Sequence, residues 1–291
     1  MMKRGKNIKK GWSLMNKYIY ILTLILILLV TFPVLAQDTL YIGSFTPENE
    51  INIDFLINLK ILDHDNSDLI FVLKSGLFMG ENGTIPISRL EFLFKTQKII
   101  LSNNSFVISQ GQLIKDASGY VIPARIKLMP VDRPGLYENV LTVKDTNGKI
   151  LLENKILFQI NSWALFELGN QKYMQIVFSD TTSNKMNSSG AVVLKVASNT
   201  NWELYGHIND QGKELLDKLN LYSRRMIGEQ YAKDGPVKIN SNPKLITSGI
   251  RTVSENYYWT EIDLFMEIID ITKIYSGFKE FPVILYLNTK N

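Results

Sequence analysis

Across residues 51–61 the chain alternates with a period of two. Ile51, Ile53, Phe55, Ile57, Leu59 and Ile61 are apolar, while Asn52, Asp54, Asn58 and Lys60 are polar. This pattern predicts a strand with one buried face and one wet face. The same period recurs at residues 89–95, with Leu90, Phe92 and Phe94 on one face, and at 120–128, with Ile122, Ala124, Ile126 and Leu128 set against Arg125 and Lys127. It returns at 192–197 and at 259–271, where Ile262, Leu264, Met266 and Ile268 oppose Glu261, Asp263 and Glu267. Shorter strands are expected at 39–45, 69–74, 99–101, 106–108, 163–168, 173–178, 202–205 and 282–287. Turn signals separate them: Thr46-Pro47, Gly80-Glu81-Asn82-Gly83 and Ser198-Asn199-Thr200-Asn201. The polar cluster at 63–68 reads as a solvated hairpin, and 198–201 as the turn of a strand pair holding a buried Trp202. Residues 234–249 read as a loop region. Only 211–226 suggests a helix, with Leu215, Leu216, Leu219 and Tyr222 at i, i+1, i+4 and i+7.

The most informative local grammar is Asp132-Arg133-Pro134-Gly135-Leu136-Tyr137, followed by Leu141 and Val143. It resembles the D-x-x-G-x-Y corner of immunoglobulin-like sandwiches, and that resemblance implies a tyrosine hydroxyl tied back to the preceding backbone. Cysteine is missing from the usual place after the tyrosine, as in many bacterial Ig-like domains. Asp145-Thr146-Asn147-Gly148 supplies a hairpin turn, and 149–160 is the return strand. The last segment, 277–287, echoes 135–143. The expected fold is therefore all-β, two Ig-like or pilin-like antiparallel β-sandwiches in tandem at 37–160 and 161–291. The second carries a short helical insertion near 211–226. The chain resembles bacterial secreted or surface proteins of this broad kind, although no motif names a family.

Residues 1–36 change the reading of charge. Lys3, Arg4, Lys6, Lys9, Lys10 and Lys17 precede the uncharged run YIYILTLILILLVTF, which ends in Pro33-Val34-Leu35-Ala36. This is the grammar of an export signal cleaved after Ala36. The alternative is an uncleaved anchor, since the run is long enough to span a bilayer. Either way residues from Gln37 onward are expected outside the cytoplasm. Without the six cations of this segment the formal charge of +4 becomes −2. A nucleic-acid-binding role, which needs a basic face on the folded part, loses its support. There is no cysteine, so disulfides, thiolate metal sites and Cys nucleophiles are excluded, and packing must supply the stability.

The chemistry is sparse. The two histidines, His64 and His207, belong to no metal or catalytic motif, and no phosphate-binding or nucleophile-elbow pattern occurs. The carboxylates at 63–68 are spaced like the opening of a calcium loop, but Asp68 stands where Gly is needed and Lys74 where the closing Glu is needed. No metal or cofactor is expected. Glu261, Asp263 and Glu267 read as a solvated stripe rather than an acid pair. Trp202, Tyr205, Tyr257, Tyr258 and Trp259 are the candidate ligand-binding residues, because sandwiches that bind sugars present aromatic faces.

The leading expectation is a non-catalytic exported structural protein of the surface or envelope, fimbria-like in character. A polysaccharide-binding module is the second reading and an envelope hydrolase the third. Expected partners are copies of itself or other envelope proteins. The final strand is expected to be covered by an earlier strand of its own unit, such as 173–178. The alternative is that residues 39–45 of a neighbour, with Leu40 and Ile42 entering a groove, are donated to it.

Overall fold

The computed structural model describes residues 38–59, 68–116, 119–169, 185–209, 218–227, 230–256, 258–270 and 282–290. The expected export signal, the cluster at 63–67 and the strand at 173–178 lie outside them. Strands are numbered in chain order.

The first two sheets use residues 38–160. One is ordered β1 (Asp38–Phe45), β12 (Ile150–Ile160), β11 (Gly135–Lys144), β3 (Asp68–Leu73), β8 (Ser105–Ser109), with the hairpin β4 (Leu77–Gly80) and β5 (Gly83–Pro86) attached to β11. The other is ordered β2 (Ile51–Leu59), β10 (Gly119–Leu128), β6 (Leu90–Leu93), β7 (Lys98–Ile100), with β9 (Ile114–Asp116) beside β10. The alternating positions do what their period demands. Ile57, Leu59, Leu90, Phe92, Ile122 and Ile126 face Phe71, Leu141, Val143, Phe158 and Ile160 in one core. Phe106 of the first sheet meets Phe92 of the second at 5.2 Å between ring centroids. On the outer face the expected polar positions form ion pairs, such as Arg125 with Asp54 at 2.6 Å.

The second pair of sheets uses residues 164–290. One is ordered β13 (Ala164–Leu168), β15 (Val192–Ser198), β20 (Thr260–Ile269), β17 (Leu219–Ile227), β18 (Gln230–Ile239), with β14 (Lys185–Asn187) beside β20. The other has three strands, β19 (Lys244–Gly249), β16 (Asn201–Ile208) and β21 (Val283–Lys290). Leu194, Val196, Leu219, Leu221, Ile262 and Leu264 of the larger sheet bury against Trp202, Leu204, Ile208 and Ile246 of the smaller. The described chain is thus all-β, Ig-like sandwiches in tandem, and every strand pairing in it for which the register is defined is antiparallel.

The tyrosine corner forms as its sequence implies. Tyr137, 1% exposed, donates its hydroxyl proton to the Arg133 carbonyl at 2.8 Å and stacks on Phe158. Asp132 closes the same corner by accepting from the Met129 N–H at 2.7 Å and from Arg89 at 2.5 Å. Gly135 sits at φ 153°, a conformation open to glycine and costly for other residues.

Several expectations are corrected. The helix expected over 211–226 gives way to strand β17 from Leu219 onward, while residues 210–217 lie outside the described part. Leu219 and Leu221 are both fully buried, a spacing of two that a helix would send to different sides. Two pairs of strands expected to form hairpins do not pair with each other. β2 and β3 lie in different sheets, and so do β15 and β16, because the core needs both strands of each pair on opposite walls. The loop expected over 234–249 contains the second half of β18 and all of β19. There Gly235 and Pro236 are accommodated at a register shift opposite Leu221 and Ser223 rather than ending the strand. Finally, the segment considered as an alternative donated strand is β1, paired within its own chain to β12, with Leu40, Ile42 and Phe45 packed on the first core.

Candidate functional site

Four of the five aromatic candidates separate into three environments. Trp202 is 1% exposed, and its indole N–H donates to the Ile250 carbonyl at 3.0 Å. It fills the second core and presents no face to a ligand, as the inward half of an alternating strand must.

Tyr258 and Trp259 belong to a small apolar cluster with Trp163, Ala197 and Val253. Tyr258 stacks on Trp163 at 5.9 Å, meets Trp259 edge-on at 5.2 Å, and donates its hydroxyl proton to the Glu48 carbonyl. Burial pushes the Tyr258 phenol above its ordinary pKa, with the charge of Glu48 adding to it. Asn199, 1% exposed, ties the same region together. It accepts from the Trp163 N–H at 2.9 Å and donates to the Asp132 and Asn161 carbonyls at 3.2 and 3.1 Å. Arg251 adds a bond to the Val131 carbonyl at 3.2 Å, and burial is the largest influence lowering its pKa. These side chains join the segments at 45–48, 131–132 and 161–163 to those at 197–199 and 251–259. Tyr257 lies outside the described residues.

Tyr205 is the candidate that stands on an outer face. It lies on β16 three positions after Trp202 and so points the opposite way. Register places it between Leu245 of β19 and Tyr286 of β21. The Tyr205 and Tyr286 rings are nearly parallel, 8° apart with centroids at 5.5 Å. His207, two residues on, meets Tyr286 edge-on at 6.2 Å. On the other side Glu203 accepts from the Tyr205 hydroxyl at 2.8 Å and pairs with Lys290 at 3.0 Å. The Tyr205 bond and then the Lys290 bond hold the Glu203 carboxyl below its usual range, while the same Glu203 bond raises the Tyr205 phenol. The arrangement therefore holds an ionised acceptor beside an ordered aromatic pair.

Sequence reading missed Tyr286, Glu203 and His207. The available signal was parity: in 283–289 the odd positions Val283, Leu285 and Leu287 are apolar, which sends Tyr286 outward. What parity could not supply was that β21 lies beside β16. The expected acidic stripe on β20 is also different in kind. Asp263 pairs with Arg224 at 2.5 Å, and Glu267, 7% exposed, accepts from Asn220 at 2.9 Å and Tyr222 at 2.8 Å. Among the described residues no group of acidic or histidine side chains is placed to hold a metal ion, and no helix is long and apolar enough to cross a membrane.

No protein-family model matches the chain, and no curated protein does. Among solved structures, one similarity is to the CsuC–CsuE chaperone and tip adhesion subunit pre-assembly complex from archaic chaperone-usher Csu pili of Acinetobacter baumannii. It has 10% identity and a TM-score of 0.42, over 86% of this chain and 98% of that one. Another is to CfaE, the adhesive subunit of CFA/I fimbria of enterotoxigenic Escherichia coli, with 12% identity and a TM-score of 0.32, over 88% and 93%. A third is to a chain in a complex of ICOS, ICOS-L and an anti-ICOS-L VNAR domain, with 8% identity and a TM-score of 0.34, over 87% and 94%. With TM-scores below 0.5 these similarities name no family and carry no functional argument.

Proposed function

We propose that the chain is a non-catalytic, exported structural protein of the cell surface or envelope, fimbria-like in use, with sandwich domains at 37–160 and 161–291. The observation that supports this most is the edge of the small sheet. β21 pairs along its length with β16, from Val283 opposite Ile208 to Lys290 opposite Asn201, and among the described residues no strand pairs its other side. A strand edge of eight residues offers a row of unpaired backbone groups to another chain. In this reading it takes a strand from a second copy, and β1 stays at home because lifting it would strip Leu40, Ile42 and Phe45 from the first core. Export rests on the sequence of residues 1–36.

The test is sedimentation of the chain from Gln37 onward across a range of concentrations, beside Ile284→Lys. Ile284 is 42% exposed on the edge strand, so a lysine there deters edge pairing without entering the core. Self-association that the substitution abolishes, with unchanged circular dichroism, supports the reading. A parent protein that stays monomeric at high concentration overturns it.

A further inference from the structure

The outer face of the three-stranded sheet has a composition that its architectural role does not need. Leu245, Tyr205 and Tyr286 form one row across β19, β16 and β21; Ser248, Glu203 and Asn288 flank it on one side, and His207 and Ile284 on the other. Leu245 is 44% and Ile284 42% exposed, and neither they nor the two tyrosines belong to any core cluster. Tyr205 and Tyr286 are half-buried, and with the exposed Leu245 and Ile284 they make a contiguous apolar group that no core accounts for. The two tyrosine rings are held in place by each other, by His207 and by Glu203.

We propose that this face binds the pyranose rings of a saccharide, with Tyr286 and Tyr205 as the apolar platform and Glu203, Asn288 and His207 as partners for the hydroxyls. A pyranose has one face of C–H groups and a rim of hydroxyls that both donate and accept. It needs a flat apolar surface bordered by polar groups of both kinds. The tyrosine pair supplies the surface, and its parallel packing fixes the rings before binding, so little side-chain entropy is lost. Glu203, kept ionised by Tyr205 and Lys290, accepts strongly from a hydroxyl. His207 Nδ1 is buried with no hydrogen-bond partner, a polar atom placed beside the platform and still unsatisfied. Asn288 is exposed and can both donate and accept. The mixture of one acid, one amide and one imidazole around stacked rings suits a neutral polyhydroxyl ligand better than a protein hot spot, which would want a deeper apolar pocket. This goes beyond the structural role proposed above, which would self-associate equally well without such a face.

Saturation-transfer NMR on the purified chain with lactose, chitobiose and maltose tests it. The expected result is transfer to ring C–H protons of at least one of them. Binding should weaken at least tenfold in Tyr286→Ala, and several-fold in the isosteric Glu203→Gln, which keeps the platform and removes the charged acceptor. Circular dichroism matching the parent qualifies each variant as folded, and Glu203→Gln carries the test if Tyr286→Ala does not fold. No transfer from any of the three sugars, or transfer that the folded variants leave unchanged, overturns the proposal.

Discussion

Replacing Tyr137 by phenylalanine removes one oxygen from the tyrosine corner and leaves its ring packing intact. The hydroxyl donates to the Arg133 carbonyl at 2.8 Å, while the ring is 1% exposed and stacks on Phe158 at 5.5 Å. Losing one such bond while its acceptor stays half-covered should cost about 1–2 kcal/mol at pH 7. The same residue gives that cost a pH dependence. Burial, and then the charge of Asp132, push the Tyr137 phenol from its ordinary 10.0 up to about 12. A phenol that ionises less readily in the folded state stabilises fully below pH 10 and loses that contribution as pH rises towards 12. At pH 11 the unfolded phenol is about nine-tenths ionised and the folded one about one-tenth, so the loss is ~1.4 kcal/mol. Tyr137→Phe has no such group, and the other tyrosines titrate alike in both proteins. Urea denaturation of the pair at pH 7 and pH 11 should therefore show the parent more stable at pH 7 by about 1–2 kcal/mol, with most of that lead gone at pH 11. A lead that is unchanged or larger at pH 11 would refute the account of the corner.

Gly249 lies against Trp202, and a Cβ there would fall 2.3 Å from the indole Cζ2, so Gly249→Ala should cost about 1–3 kcal/mol and shift the tryptophan emission, read by thermal melting and fluorescence. Asp132→Ala leaves Arg89, 19% exposed at its side chain, without its carboxylate and frees the Met129 N–H, and should cost about 3 kcal/mol by chemical denaturation; a change below ~0.5 kcal/mol would show that the corner does not need the acid. Mass spectrometry of protein from its native host should find a chain that begins at Gln37, and an intact segment 1–36 in the membrane fraction would favour the anchor instead.

Local rules made part of this fold readable. A period of two has one meaning in a half-buried strand, so Ile57, Phe92, Ile122 and Ile262 could be assigned to a core from spacing alone, and all four are fully buried. The tyrosine corner was equally legible, because its hydrogen bond joins residues only four apart. Parity also sends Trp202 and Tyr205, three positions apart, to opposite faces, although both stood among the candidates. The period over 211–226 misled because Leu215, Leu216 and Leu219 fit a helix while Leu219, Leu221 and Ser223 fit a strand. Pairing with β18 and β20 decided for the strand.

By itself, then, the sequence determined where the clearly alternating strands run, which of their faces turn inward, and how the corner at Tyr137 closes, since each depends on residues within one turn or one strand. Apart from the β11–β12 hairpin, only the tertiary structure decided which strands become neighbours. A short polar link reads the same whether the strands it joins pair or part, and β2 and β3, like β15 and β16, belong to different sheets. The candidate site follows from that difference: Tyr205 and Tyr286 are eighty-one positions apart in sequence and face each other only because β16 and β21 are paired. Nothing in either segment encodes the other's position, which is set by the free energy of closing one apolar core around Trp202, Leu204 and Leu285.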